Sequence, residues 1–241
     1  MVDNAFERET PLTGPTPAAE KRWTSLTEIQ RRVTGVLVEK AKTTPEQYPL
    51  SLNALTNGCN QKSNRNPQMS LDMDDVEGVL DELRELGATV EIQSGGRVAK
   101  YKHCLYEWLG VDKAELAVMA ELLLRGEQTV GELRGRAGRM EPIADLSALR
   151  PIVNSLIEKE LVMSLTPEGR GQVVAHALYD EQDLARLKSQ YENFEPTRPA
   201  RSPTPQAASS DPDEFRQLQA EVAELRAELE QLRSQFEQLM N

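Results

Sequence analysis

The sequence has few of the residues from which metal and redox centres are built. Only two of its 241 residues are cysteine and only two are histidine. Cys59 and Cys104 form no C-x-x-C pair, and His103 and His176 form no H-x-x-x-H pair, so the usual spacing of zinc ligands is missing. A chain of this length also does not need a disulfide framework. We therefore expect no metal and no cofactor.

Catalytic motifs are missing as well. The chain contains no G-x-S-x-G, no phosphate-binding P-loop and no G-x-G-x-x-G sequence. The cluster of Asp72, Asp74 and Asp75 lies where a helix is predicted to begin, and carboxylates at that position stabilise the helix through its dipole. These observations predict a protein that is not an enzyme.

Long apolar runs and an excess of positive charge are also lacking. Residues 1–22 contain no apolar segment of signal-peptide length, and no run approaches the length of a membrane span. We expect a cytoplasmic protein that does not contact membranes. The net charge of −11 disfavours a protein whose whole surface binds nucleic acid, although a local basic patch remains compatible with it.

What the sequence does contain is a pattern of three helices and a hairpin that occurs twice. In the first copy, Ser25 and Glu28 have the spacing of a capping box, Ser51 is a candidate N-cap of the second helix, and Gly87 follows the third. The strands of the hairpin are predicted around Val90–Ile92 and Val98–His103. In the second copy, Asp112 and Thr129 begin helices, and the segments 162–165 and 173–178 form the hairpin.

The two copies match position by position except at one place. His103-Cys104-Leu105-Tyr106 corresponds to His176-Ala177-Leu178-Tyr179, and the apolar positions of the third helices also correspond. Between the second and third helices, the first copy carries about five extra residues, within the segment NGCNQKSNRNPQM at 57–69. Packing explains the shared positions, whereas extra loop residues suggest a contact.

This order of elements is typical of winged-helix domains. The predicted fold class is mostly α with small β-hairpins (α+β), in the form of tandem winged-helix domains plus a C-terminal coiled-coil helix. We call residues 23–110 copy one and residues 111–193, which include a trailing helix, copy two. The remaining predicted segments are a disordered tail at 1–22, a Pro/Ser/Ala-rich linker at 194–212 and the coiled-coil helix at 213–241.

The coiled coil is predicted from apolar residues that alternate at spacings of three and four over four heptads. These residues are Phe215, Leu218, Val222, Leu225, Leu229, Leu232, Phe236 and Leu239. Glutamates at g and arginines at the following e positions would form opposite-charge pairs in a parallel dimer. A helix that packs on its own chain is the alternative, and the strict period favours a homo-oligomer.

The motif N-x-C-N-Q-K-S-N-R-x-P-x-M at 57–69 resembles the hallmark of the bacterial YceH-like family. The segments TVGELRGRAGR at 129–139 and His176-Ala177-Leu178 resemble that family too, and the resemblance covers roughly residues 25–180. It implies two winged-helix domains in a cytoplasmic bacterial protein and no established biochemical activity. Pro151 departs from the pattern and predicts that the third helix of copy two begins near Arg150, because proline breaks a helix interior.

Polar and cationic residues near the loop and the hairpins are the candidates for contacting DNA or a protein partner. They are Asn60, Gln61, Lys62, Ser63, Asn64, Arg65, Arg97, Lys100, Lys102, Arg134, Arg136 and Arg139. The third helix of copy one is rich in carboxylates, which would repel phosphates. Two functions therefore stay open: an oligomeric DNA-binding transcriptional regulator, and a protein-interaction scaffold whose winged helices do not bind DNA.

Overall fold

The computed structural model describes residues 22–93 and 98–192. These residues form an α+β structure of helices and two small antiparallel sheets, so the predicted fold class is confirmed at that level. The winged-helix assignment stays a prediction. Nearly all of the predicted tail at 1–22, the linker at 194–212 and the coiled-coil helix with its eight apolar positions lie outside the described residues.

The described residues of copy one, 23–93 and 98–110, form four α-helices and three strands. In chain order they are α1 Glu28–Thr43, β1 Leu50–Ser51, α2 Leu52–Cys59, α3 Met73–Glu85, β2 Thr89–Ile92, β3 Lys100–His103 and α4 Leu105–Leu109. A 3-10 turn, Pro45–Gln47, follows α1. As expected, Ser51 caps α2, since its hydroxyl accepts a hydrogen bond from the Ala54 N–H.

Copy two repeats this order of helices and strands, and its last helix is longer, with 12 residues against 5. Its elements are α5 Lys113–Arg125, β4 Gln128–Thr129, α6 Val130–Ala137, α7 Leu146–Glu158, β5 Val162–Ser164, β6 Val173–His176 and α8 Glu181–Glu192. Asp112 and Thr129 form the expected capping boxes with Glu115 and Glu132, which fix the starts of α5 and α6.

Each copy has a three-stranded sheet rather than a two-stranded hairpin. The strand orders are β1-β3-β2 in copy one and β4-β6-β5 in copy two. The predicted hairpins are the pairs β2-β3 and β5-β6, in which Thr89 faces His103 and Val162 faces His176. The third strand consists of two residues directly before the second helix, which is too short to leave a periodic pattern in the sequence.

Two predicted helix starts are wrong. The cap of α1 is Thr27, whose hydroxyl accepts from the Gln30 N–H while the Gln30 side chain accepts from the Thr27 N–H, so Ser25 and Glu28 do not form the box. Helix α7 begins at Leu146, after the N-cap Asp145, and not near Arg150. Pro151 is its sixth residue and lies exposed, so its ring removes one backbone hydrogen bond without disturbing the core.

The first helices of the two copies pack against each other and join the copies into one compact unit. Gln30 to Val38 in α1 and Glu115 to Leu124 in α5 are continuously buried, because each helix is covered by its own copy on one side and by the other copy on another. Gly35 marks the close approach, since a Cβ there would lie 2.8 Å from Leu124 Cγ. The apolar core is therefore continuous across both copies.

None of the helices in the described part of the chain is long and apolar enough to cross a membrane.

Candidate functional site

The polar segment 57–69 is a closed loop held by its own side chains. The Asn60 side chain donates to the Leu71 carbonyl at 2.7 Å and accepts from the Leu71 N–H at 2.8 Å, so it ties the two ends together. Asn64 adopts a left-handed backbone with φ of 58°, a conformation that asparagine tolerates better than most residues. Gln68 donates to the Lys62 carbonyl across the loop. Much of the amide content thus has a structural role.

Arg65 is buried inside this loop. Its side chain is 0% exposed and forms an ion pair with Glu39 of α1 at 2.5 Å. The guanidinium also donates to the Gly58 carbonyl and to the Gln61 side chain. A direct contact from Arg65 to a phosphate or to a partner's surface is not possible in this conformation, which corrects its assignment as a contact residue.

Arg32 of α1 holds the loop from the opposite side. Its Nη1 donates to the Cys59 carbonyl at 3.0 Å and its Nη2 to the Pro67 carbonyl at 2.5 Å. The side chain is 1% exposed overall. Burial and the nearby Arg65 lower the pKa of Arg32, but a guanidinium remains charged at neutral pH. The loop is therefore fixed to α1 by two buried arginines.

The loop also reaches copy two. The Asn66 N–H donates to the Leu124 carbonyl at 3.0 Å, and the Asn66 side chain donates to the Arg125 carbonyl at 3.2 Å. Both carbonyls belong to the last turn of α5, where helical partners are missing. The Asn64 side-chain oxygen accepts from Arg139, which follows α6. The polar loop thus caps a helix of the other copy.

The predicted length difference between the copies is confirmed. Thirteen residues, 60–72, separate α2 from α3, whereas eight residues, 138–145, separate α6 from α7. The five extra residues are part of the segment that reaches α5, so the extra length supplies a contact within the chain.

The other candidate contact residues of copy one differ in exposure. Lys62, Ser63 and Lys102 are exposed, and Lys100 is half-buried. Arg97 lies outside the described residues. Lys62 and Lys102 therefore remain accessible to a partner.

The arginines of copy two are mostly engaged within the chain. Arg134 donates to the Ala144 carbonyl just before α7. Arg136 donates to the Gln128 side chain at 2.6 Å and lies 3.4 Å from a carboxylate oxygen of Glu132. Arg139 is exposed, and its contacts with Asn64 are long, at 3.4 Å. Arg139 is the member of this set best placed to meet a phosphate.

The third helices of the two copies differ in charge. Helix α3 exposes six carboxylates, Asp74, Asp75, Glu77, Asp81, Glu82 and Glu85. With a constant separation of 73 residues between copies, Asp74, Glu77 and Asp81 correspond to Ser147, Arg150 and Asn154 on α7, which are also exposed. At these three positions copy two thus carries neutral and cationic residues where copy one carries carboxylates, whereas Glu85 corresponds to Glu158.

The two histidines have the same structural role, as their equivalent positions predicted. Nδ1 of His103 accepts from the Leu105 N–H, and Nδ1 of His176 accepts from the Leu178 N–H. Burial, followed by Lys42 and Lys102, lowers the pKa of His103 to about 4. Burial and Arg31 lower the pKa of His176 well below its ordinary value. Both rings are neutral at physiological pH.

Cys59 is part of the apolar core. Cys59 is buried, and burial raises the pKa of its thiol to about 12, so it behaves as a small apolar residue. In the described part of the chain, no group of three or more His, Cys, Asp or Glu residues is arranged to hold a metal ion.

A cleft of about 350 Å³ lies directly beside the polar loop. Its walls come from the start of α1, from Asn66 to Met69 of the loop, from the last residues of α5, from the end of β6 and from α8. We call it the arginine cleft, since Arg31, Arg32, Arg125 and Arg186 all line it. The cleft is not among the features predicted from the sequence. The available signal was Arg32, which lies four residues before Val36 and hence on the helix's apolar face.

Comparison with known proteins gives a family and several close relatives. The family described as "Protein of unknown function, DUF480" matches residues 26–171. A UPF0502 protein of Rhodopirellula baltica is 55% identical over 185 residues, which are 77% of this chain and 74% of that protein. A UPF0502 protein of Geobacter sulfurreducens is 48% identical over 164 residues, or 66% of this chain and 75% of that protein. One from Pelobacter propionicus is 56% identical over 134 residues, which are 56% of this chain and 61% of that protein.

Proposed function

The chain belongs to the DUF480 family, and we propose that it is a non-enzymatic, cytoplasmic DNA-binding regulator that contacts DNA through copy two. The order of helices and strands in each copy supports a winged-helix interpretation, in which the third helix usually enters the major groove. The heptad pattern in the sequence of residues 213–241 supports the further proposal that the regulator is an oligomer.

The observation that carries the proposal is the difference between α3 and α7. Ser147, Arg150 and Asn154 are spaced at three and four residues, so they lie along one exposed stripe of α7. Arginine and asparagine are the side chains that most often read base edges or hold phosphates. The equivalent stripe of α3 carries Asp74, Glu77 and Asp81 and would repel DNA.

Other arginines near α7 add positive charge that favours DNA binding by copy two. Arg134 is anchored next to the N-terminus of α7 through the Ala144 carbonyl, and the exposed Arg139 follows α6, which packs on α7. Arg170 is exposed in the turn between β5 and β6, where a wing touches backbone phosphates in winged-helix proteins. Arg65 makes no such contribution, because it is buried against Glu39.

Binding can be measured by fluorescence anisotropy of a labelled mixed-sequence duplex titrated with the full chain at low and near-physiological salt. We expect affinity that falls steeply with salt, because phosphate contacts release counterions. Arg150→Glu is expected to weaken binding about tenfold or more, since it adds repulsion where a contact is lost. Lys188→Glu makes the same charge change on an exposed residue of α8 and should have a much smaller effect. Equal losses in both variants, or no binding at low salt, would contradict the proposal.

The oligomer is tested separately by sedimentation of the full chain and of a chain that ends at residue 193. We expect the full chain to sediment as a dimer or trimer and the shortened chain as a monomer. An unchanged mass would contradict self-association through residues 213–241.

One observation favours a second function, a protein-interaction scaffold. The six exposed carboxylates of α3 lie beside the exposed apolar side chains of Met73 and Leu86, which are 50% and 38% exposed. A surface with apolar and acidic residues suits a basic, amphipathic partner segment. Absence of DNA binding together with a partner that crosslinks to α3 would favour this function over the first.

A further inference from the structure

We propose that the arginine cleft binds a small organic anion that carries a carboxylate or a phosphate group. The proposal concerns a different surface from the exposed stripe of α7 and does not depend on DNA binding. A cleft of about 350 Å³ lies in the size range of small-molecule sites. The charges that line the cleft, and their partners, indicate what it binds.

Arg32 is the central observation. Its side chain is almost completely buried and lines the cleft, yet among the described residues it forms no ion pair within 4 Å. Its partners are two backbone carbonyls, and its Nε has no hydrogen-bond partner. A buried cation without a close counter-ion is costly. Glu28, which also lines the cleft, favours the charged form of Arg32 only from beyond ion-pair distance. An anion in the cleft would supply the close counter-ion.

The other three lining arginines each have a carboxylate within 4 Å. Arg31 pairs with Asp183 at 2.8 Å, and Arg186 lies 3.9 Å from the same carboxylate. Arg125 lies 3.8 Å from Glu121, which does not line the cleft. Glu28 and Glu127 also line the cleft, and among the described residues neither forms an ion pair within 4 Å, so Arg32 is the lining arginine left without a close carboxylate.

The other lining residues define the body of the ligand. His176 accepts through Nδ1 from the Leu178 N–H, so its ring proton is on Nε2 and is available for donation. The ring stacks on Tyr179 at 3.8 Å, and the Arg31 guanidinium lies 4.8 Å above that tyrosine. Leu123, Leu187 and Met69 add an apolar wall. This combination fits an anion with a small apolar or aromatic portion rather than a free inorganic ion.

The position of the cleft gives such a ligand access to both copies at once. Pro67 and Asn66 belong to the loop that caps α5, while Tyr179 and Leu187 follow the hairpin of copy two. A ligand in the cleft would touch residues of the loop and residues of copy two at the same time. Binding is therefore expected to stabilise the whole unit.

The test uses the full chain with benzoate and phenyl phosphate as probes. Sodium chloride at matched ionic strength and uncharged benzyl alcohol serve as controls. We expect both anions to raise the unfolding midpoint in a saturable way and to shift the NMR signal of the Arg32 Nε–H, with little effect from either control. A shift that chloride reproduces, or no saturable effect of either anion, would overturn the proposal.

Variants locate the binding site. Arg186→Glu reverses a charge at the exposed rim and is expected to weaken binding about tenfold, whereas Lys188→Glu on the same helix does not line the cleft and should leave affinity unchanged. Arg32→Lys keeps the charge but loses the planar fork, and it should weaken binding by a similar factor if the variant folds. Equal affinities for the wild type and Arg186→Glu would place the anion elsewhere and overturn the assignment.

Discussion

Val76 and Leu149 occupy equivalent positions of the third helix in the two copies, and both are completely buried. The pair Leu80 and Val153 repeats this pattern at the same separation. On the outside, by contrast, Glu77 of copy one corresponds to Arg150 of copy two. Packing requires similar apolar residues at the buried positions of the two third helices. Their exposed positions are not restricted in this way and carry different charges.

The second difference concerns the loop before the third helix. Copy one has a longer loop with a buried ion pair, and it caps a helix of copy two. In copy two, Arg134 of α6 donates to the Ala144 carbonyl in the shorter connection, and this contact is exposed. The loop of copy one thus adds contacts that join the copies, whereas the corresponding connection of copy two has its Arg134 contact within its own copy.

Removing the buried ion pair is the strongest way to break this asymmetry. Arg65→Met leaves the partly buried Glu39 with only Lys40, at 3.7 Å, as a cationic neighbour among the described residues, and we expect a loss of about 3 kcal/mol in the free energy of unfolding. Urea unfolding followed by circular dichroism measures it. Arg136→Met, which removes a more exposed pair in copy two, should cost about 1 kcal/mol or less. Similar losses in the two variants would contradict the asymmetry.

Acid should affect both copies in the same direction. The folded-state pKa of His103 is about 4, below its ordinary value of 6.5, so the unfolded chain binds the proton more readily. The contribution of neutral His103 to the free energy of unfolding is therefore fully present above about pH 6.5 and decreases as the pH falls toward 4. At pH 5 the loss from His103 is about 2 kcal/mol relative to pH 7, and His176 adds to it in the same direction.

Urea unfolding of the wild type and of His103→Gln at pH 7 and pH 5 tests this expectation. The variant should show a smaller loss between the two pH values, because glutamine does not titrate. An identical pH dependence would mean that acid acts through other groups.

The interface between the copies can be tested at Gly35. In Gly35→Ala the new Cβ would lie 2.8 Å from Leu124 Cγ, so α1 and α5 must separate slightly, and we expect a loss of about 1–3 kcal/mol. Gly131→Ala in α6 is the matched control, since a Cβ there meets nothing within 4 Å. Thermal unfolding should show destabilisation only in the first variant; if both variants are neutral, α1 and α5 are not tightly packed.

We expect the smallest change in stability at one position of the third helices, where both copies have a residue that disfavours helix. Gly78 in α3 corresponds to Pro151 in α7, and both are exposed. Gly78→Ala should stabilise the chain by about 0.5–1 kcal/mol, because open space surrounds the new methyl group and alanine favours the helix. A thermal shift upward would confirm it. The control Gly58→Ala, whose Cβ would lie 2.7 Å from Val36 Cγ1, should shift the midpoint downward.

Local signals were sufficient to predict most helices. Ser51, Asp112 and Thr129 act as N-caps as expected, because a cap depends on residues only two or three positions away. At α1 two overlapping capping boxes were possible, and the chain uses Thr27 and Gln30. At α7 the local rule for proline failed, since an exposed sixth position tolerates the loss of one hydrogen bond.

The site was less predictable because its contacts are distant in sequence. A cation in a polar loop looks like a surface residue, and the burial of Arg65 follows from Glu39, which lies 26 residues earlier. Arg32 likewise depends on carbonyls 27 and 35 residues away. The family motif indicated that the loop matters, but only the packing of α1 on α5 shows that it joins the copies.

The hydrogen bond from the Leu26 N–H to the Leu178 carbonyl has a consequence for how the chain is made. A ribosome synthesises Leu26 long before Leu178, and at about 5–20 residues per second the interval lasts many seconds. During that interval α1 has emerged while α5, and then the end of the second hairpin, are still to come. The growing chain therefore carries an uncovered apolar helix face, and copy one completes its packing only when copy two is nearly finished. Nascent chains of this protein are accordingly expected to need protection from aggregation until translation has passed residue 178.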